Sequence, residues 1–396
     1  MSLRDSSGAG RLWTARRALI AGSAALLVAA GTMVALTVGH PTARHEASTA
    51  PKTARLASST CSGPSGAAYV ALAGYQAFDA IETANCSFVQ DYNVGDPQVP
   101  GDSGDYNYSS SEQTVAIHGS TLYFADTGND MVSIINSATL NPKNYNPAET
   151  DIHVGINPGY LAVTPDGSQL WVADTGPQTG AGSPTDIKVI STSTDKVTAT
   201  LPLPSAPAQI AFSPSGDTAY VTTAGGLWIF DTATQKVTDV IGGLGDPHGI
   251  AVSPDGSTVY VTNTSDNLVE VIDTASNKVT DTIPVGQLPW QLVVSSGGGT
   301  LYVADPDSNQ VSVIDTKTDA VTTEIPLAGG PDTLALTPDG SQLWVAGITS
   351  AILTVLDTSN DSVVGSLNLG GFGAQSGDGT DPTGIVLTST PTPSGS

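Results

Sequence analysis

Residues 247–286 read PHGIAVSPDGSTVYVTNTSDNLVEVIDTASNKVTDTIPVG, and this stretch decides the fold. Its runs AVS and VYVTN are short, apolar and β-branched, as strands are. Pro254-Asp255-Gly256 forms a tight turn between them, with proline fixing φ and glycine accepting positive φ. The Asp-rich stretch after Asn263 makes a second turn, and Asp273 to Asn277 a third. Four short strands and their turns in about 42 residues are the size of one propeller blade.

The unit repeats. Residues 289–328 and the stretch from Pro331 carry the same pattern, so Tyr260, Tyr302 and Trp344 fall at one position with a period of 42. Upstream, Trp171 and Tyr220 hold that position after LAVTPDG (161–167) and IAFSPSG (210–216), and Tyr123 holds it in LYFAD (122–126). Residues 69–95 align without a gap on 260–286 but lack the leading Pro-x-x-Ile strand. That strand stands alone at 382–388, PTGIVLT. Counting Tyr69 gives seven aromatic positions. A lone blade cannot bury both faces, so blades stack in a ring. The expected fold is all-β, a seven-bladed β-propeller of four-stranded blades over 61–389. The C-terminal strand completes blade 1, which removes the open edge.

These residues resemble the YVTN-repeat family of β-propellers found in surface-layer and other exported proteins. The tetrapeptide stands at Tyr260-Val261-Thr262-Asn263, with YVAD (302–305), WVAD (171–174) and YVTT (220–223) as close forms. The resemblance covers residues 66–389 and implies a fold more than a function, because propellers host binders, lactonases, lyases and redox enzymes alike.

Charge divides the chain. Residues 1–60 hold seven of the 13 basic residues, while residues 61–396 hold six lysines, no arginine and 35 acids. A body without guanidinium groups and so acidic repels polyanions. Nucleic acid is therefore not an expected partner, whereas cations, neutral glycans and basic proteins are compatible. Residues 1–17 read as a basic cytoplasmic tail. Residues 18–38, ALIAGSAALLVAAGTMVALTV, carry no charge and would span about 30 Å as a helix, the thickness of a bilayer's hydrocarbon. Arg11, Arg16 and Arg17 precede them, which keeps the N-terminus inside and the body outside. An uncleaved single-pass anchor is expected, with a cleaved signal and secretion as the alternative. Residues 39–60 read as a flexible linker and 390–396 as a disordered tail. Export also permits one disulfide, Cys61 to Cys86, the alternative being two unpaired thiols.

Departures from the repeat are where function is sought. Insertions stand at 96–113, 137–150, 174–186 and 370–381. Family geometry implies that 96–113, 174–186 and 370–381 share one face, where Tyr106, Tyr108 and Phe372 are available. The starts of the inner strands share that face. The residue after the opening proline, or its equivalent, runs Gln113, Gly159, Ala208, His248, Trp290, Asp332 and Thr383 around the ring, with Tyr160 one residue further in blade 3. Gln113, Tyr160, His248, Trp290 and Asp332, with the three loop aromatics, are the candidate ligand-binding residues. Unrelated surface residues at a variable position are the plainer reading.

Catalytic patterns are absent from the sequence: there is no nucleophile elbow and no Cys/His pairing in a specific context. The acidic turns Asp126 to Asp130 and Asp305 to Asn309 could supply calcium oxygens through Asp126, Asp130, Asp305 and Asp307, but neither matches an EF-hand loop, and Asp also caps turns for local reasons. No cofactor is expected beyond that calcium. The expected function is an extracytoplasmic, membrane-anchored, monomeric binding or scaffold module for a protein, glycan or small ligand. A lactonase- or lyase-like propeller enzyme using His248 with Asp332 and Asp246 is the first alternative, and a structural cell-surface protein the second.

Overall fold

The computed structural model describes residues 64–72, 77–93, 114–127, 129–140, 150–176, 185–347, 350–369 and 382–389. The expected tail, anchor and linker at 1–60, together with Cys61 and the tail 390–396, lie outside these residues. Among the described residues no helix is long and apolar enough to cross a membrane.

The described strands form seven four-stranded antiparallel sheets. Blade 5 shows the plan: Pro247–Val252, Thr258–Asn263, Leu268–Asp273 and Lys278–Pro284 run from the inside outward. Six blades follow the chain in this order. Blade 1 does not: its innermost strand is Pro382–Thr388, followed outward by Ala67–Leu72, Ala77–Glu82 and Ser87–Asn93. Ala67 pairs with Thr388, Tyr69 with Val386 and Leu72 with Pro382. The closing strand also lies against the inner strands of blade 7, Pro331–Leu336, and blade 2, Val115–His118, so the ring has no gap.

The core is divided to match. Among the described residues seven hydrophobic clusters form, each drawn from two neighbouring blades. The seven repeating aromatics are all buried, from Trp171 and Trp344 at 0 % exposure to Tyr220 at 5 %. Each packs toward the following blade: Trp171 of blade 3 meets Phe230 of blade 4 edge-on at 5.7 Å between ring centroids. The strict period of these rings is therefore a packing period.

The turns hold each blade together. Gly256 takes φ of +75°, and Asp255 accepts bonds from the Ser253 hydroxyl and from the Ser257 amide and hydroxyl. Thr274 at the third turn donates to the Gly256 carbonyl at the first, 2.8 Å away. Thr192, Thr316 and Thr358 do the same in blades 3, 6 and 7. The threonine closing each of these third strands, preceded by aspartate in blades 5, 6 and 7 and by Ser191 in blade 3, is thus a clamp between two turns at one end of the sheet. Asp273 and Asp231 cap their own turns by accepting from Ser276 and Thr234.

Candidate functional site

The inner strands begin with a bulge. In blade 5, Pro247 pairs with Asn263 and Ile250 with Val261, so His248 and Gly249 together face the single residue Thr262. The same shift separates Pro158 from Leu161 in blade 3 and Pro207 from Ile210 in blade 4. A bulge leaves its extra residue free of the ladder and re-aims its side chain. The variable positions of the repeat sit on these bulges.

A hydrogen-bond relay fixes them from blade to blade. The Gln209 amide donates to the Thr222 hydroxyl, which donates to the His248 carbonyl at 2.6 Å. One blade on, the Gly249 amide donates to Thr262, which donates to the Trp290 carbonyl at 2.7 Å. Thr114 and Thr333 reach the carbonyls of Gly159 and Thr383 in the same way. Two glutamines reinforce the relay: the Gln209 side-chain carbonyl accepts from the Ile250 amide, and that of Gln291 from the Leu334 amide. The threonine of the YVTN tetrapeptide is therefore an inter-blade tie.

On this frame three of the expected residues come together. The His248 imidazole stacks on the Trp290 indole with centroids 3.4 Å apart and planes 28° from parallel. Tyr160 meets His248 edge-on at 5.7 Å. Tyr160 comes from blade 3 and His248 from blade 5, so the contact passes over blade 4, whose matching residue is the small Ala208. Tyr160 and Trp290 are each 8 % exposed and His248 is half-buried. Asp332, at the same position in blade 7, is buried. The arrangement is an arc of three rings at the end of the ring where the inner strands begin. Gln113, Tyr106, Tyr108 and Phe372 lie outside the described residues, as do most of the inserted loops.

The four acidic residues considered for calcium divide into two loops. In blade 2, the Asp126 carboxylate accepts from the Asn129 side chain at 2.9 Å, and Asp130 accepts from the Asn157 amide. In blade 6, Asp305 is fully buried and accepts from the Ser312 hydroxyl at 2.6 Å, while Asp307 is exposed in the following turn. Burial pushes the Asp305 carboxyl up to about 6. Among the described residues no group of three or more His, Cys, Asp or Glu side chains converges as metal ligands do.

Asp126, Asp174, Asn263 and Asp305 all occupy the fourth position of the tetrapeptide, and all are buried. Asp174 was not singled out in the sequence. It accepts from the Ile156 amide and lies 3.9 Å from the Lys188 ammonium, which pairs with Asp186 at 2.9 Å. Burial, and next the charge of Asp186, push Asp174 up to about 6. A signal existed: Lys188 interrupts an apolar third strand, one of only six lysines in the body. Cys86 is disulfide-bonded and 3 % exposed; Cys61, its expected partner, lies outside the described residues.

Comparison with known proteins agrees with this architecture. A family model, the choice-of-anchor I domain, matches residues 64–309. No curated protein matches the chain by sequence. Among solved structures, a functionally unknown protein from Desulfotomaculum acetoxidans DSM 771 is similar at TM-score 0.65 and 19 % identity, over 83 % of this chain and 100 % of the other. Kuenenia stuttgartiensis hydrazine synthase is similar at TM-score 0.59 and 19 % identity, over 74 % of this chain and 92 % of the other. At such identities the likeness is one of fold.

Proposed function

This chain belongs to the choice-of-anchor I domain family, and from that premise we propose that it is a cell-surface propeller that binds a partner at the channel mouth formed by blades 3, 5 and 6. One observation carries the reading. Tyr160, His248 and Trp290 break the repeat at its variable positions, and they meet in one arc of rings. A scaffold needs none of these rings there, since the relay that ties the blades uses the backbone carbonyls of His248 and Trp290, not their side chains. Clustered aromatics with a polar edge are the usual anchors of a binding surface. Anchoring through residues 18–38 would present this mouth outside the cell, and the acidic body favours a neutral or basic partner over an anionic one.

The test is co-sedimentation of the full chain with the envelope fraction of the producing cells. The double variant His248→Ala, Trp290→Ala should lose most of the retained protein while keeping the circular dichroism of the parent. Undiminished retention by the double variant would place the partner elsewhere.

A further inference from the structure

Blade 3 buries a lysine between two carboxyl groups. Asp174 ends the second strand, Gln169–Asp174, and is the register partner of Asp186 in the third strand, Thr185–Ser191. Lys188 stands two residues beyond Asp186, on the same face of the sheet. The side chains of Lys188, Asp174 and Asp186 are 14 %, 4 % and 5 % exposed. The Lys188 ammonium lies 2.9 and 3.0 Å from the two oxygens of Asp186, and 3.9 Å from Oδ2 of Asp174. Gly155 makes room for the group: a Cβ there would run into both the Asp174 carboxyl and Cε of Lys188. The repeat does not need a lysine at this place. In blade 6 the same register position holds Ser312, which satisfies Asp305 with one hydrogen bond. In blade 5 it holds Glu270, which accepts from Asn263.

We propose that Lys188 and Asp174 condense to an isopeptide bond that cross-links the second and third strands of blade 3. Each part of such a reaction is in place. Lys188 is the nucleophile, and Asp186 is a base within hydrogen-bond reach of its ammonium. The Asp174 carboxyl is the electrophile. Two backbone amides donate to its oxygens, Ile156 to Oδ2 at 3.1 Å and Gly176 to Oδ1 at 3.4 Å. Donors so placed stabilise the oxyanion of a tetrahedral intermediate. One ammonium cannot neutralise two buried carboxylates, and burial with the charge of Asp186 makes Asp174 the one that holds a proton. Asp186 takes one proton from the ammonium, and the freed amine attacks Cγ of Asp174. A C–N bond forms and a C–O bond breaks. The hydroxyl of Asp174 leaves as water with a second amine proton, the third proton stays on the amide nitrogen, and Asp186 keeps the first. No other reagent is consumed. The product is a neutral amide in place of a buried ion pair, whose desolvation is costly. In joined chains Asp305 is the raised carboxyl left to titrate, whereas chains not yet joined keep both.

The experiment is a tryptic peptide map of the full chain, reduced and denatured, read by mass spectrometry. Lys143, Lys188 and Lys196 are consecutive points of cleavage. The joined chain should yield one peptide, 144–196, uncut at Lys188 and lighter than its sequence by one water, with fragments that tie residue 174 to residue 188. Asp174→Ala should restore the cut at Lys188 and the full mass. Asp186→Asn should leave Lys188 open to trypsin in freshly purified chain, although Lys188 and Asp174 are both still present. Peptides 144–188 and 189–196 at full mass from the parent chain would overturn the proposal. So would a peptide 144–196 of full mass, which is a missed cut alone. A water lost while the cut at Lys188 persists would mark a cyclised aspartate, such as Asp166 before Gly167, and would overturn it equally. The parent chain decides these outcomes even if a variant does not fold.

Discussion

Gly249 lies so close to the carbonyl oxygen of Trp290 that a Cβ added to it would come within 3.0 Å of that atom. The neighbouring atom is backbone, held by the Thr262 hydroxyl, and cannot turn aside. Blades 5 and 6 therefore approach through a glycine that is required for its lack of a side chain, its φ lying outside the left-handed region.

Gly249→Ala should destabilise the chain by about 1–3 kcal/mol, the range for overpacking a tight contact. Gly297→Ala is the control, because an added Cβ there meets nothing within 4 Å. Equal unfolding midpoints for the two variants in urea would show that the blades can part without cost.

Removing residues 382–388 should cost more than any point change. Their loss strips one side of Ala67–Leu72 and takes Ile385 out of the cluster shared by blades 1 and 7. The truncated chain should unfold at a lower temperature and associate through the bared strand edge. Size-exclusion chromatography reads the second effect, and a monomer as stable as the parent would contradict closure by this strand.

Stability should change with pH in two separate windows. Asp174 and Asp305 titrate at about 6 in the folded chain, above the ordinary carboxylate value near 4. Between roughly pH 4 and 6 the folded state then holds protons that the unfolded state has released, so stability falls as pH rises through that window. Asp166 and Asp255 are held down to about 2 by hydrogen bonds, first from Thr164 and Ser253. Their contribution has the opposite sign: it is complete above about pH 4 and is lost as pH falls toward 2. Thermal unfolding across pH should peak between pH 4 and 5. Asp305→Asn should flatten the upper slope, since an amide there carries no charge to bury. An upper slope as steep as in the parent would remove Asp305 as its cause.

Reduction should weaken blade 1. The Cys86 disulfide ties the third turn of that blade, and such a bridge contributes about 2–4 kcal/mol. Dithiothreitol, or Cys86→Ser, should lower the unfolding temperature, and the denatured, unreduced chain should yield no free thiol to a colorimetric reagent. Two titratable thiols would exclude the bridge.

Much of the ring could be read in advance, because the repeat writes it seven times. The aromatic period marks the second strand of every blade, and the lone PTGIVLT marks the seam. The contact of Tyr160 with His248 could not be read in the same way. It joins side chains 88 residues apart in sequence across a blade that contributes only Ala208, and it depends on bulges that the repeat pattern does not mark. His248 and Trp290 were legible as neighbours but not as a stack. Asp126 and Asp305 stand in acidic turns that read in sequence either as cation ligands or as turn caps, and both carboxylates accept hydrogen bonds from side chains of their own blade.

The seam also determines how the molecule answers a mechanical load. Ala67 and Thr388 face each other at the same end of two antiparallel strands. Tension applied between them would part the six pairs one after another, as a zip opens, at low force. Tension transmitted through Ala67 alone, against a partner held by the rest of the ring, would slide Ala67–Leu72 along both its neighbours and strain all their pairings together. A body tethered from its N-terminal side is thus suspended by its more resistant direction.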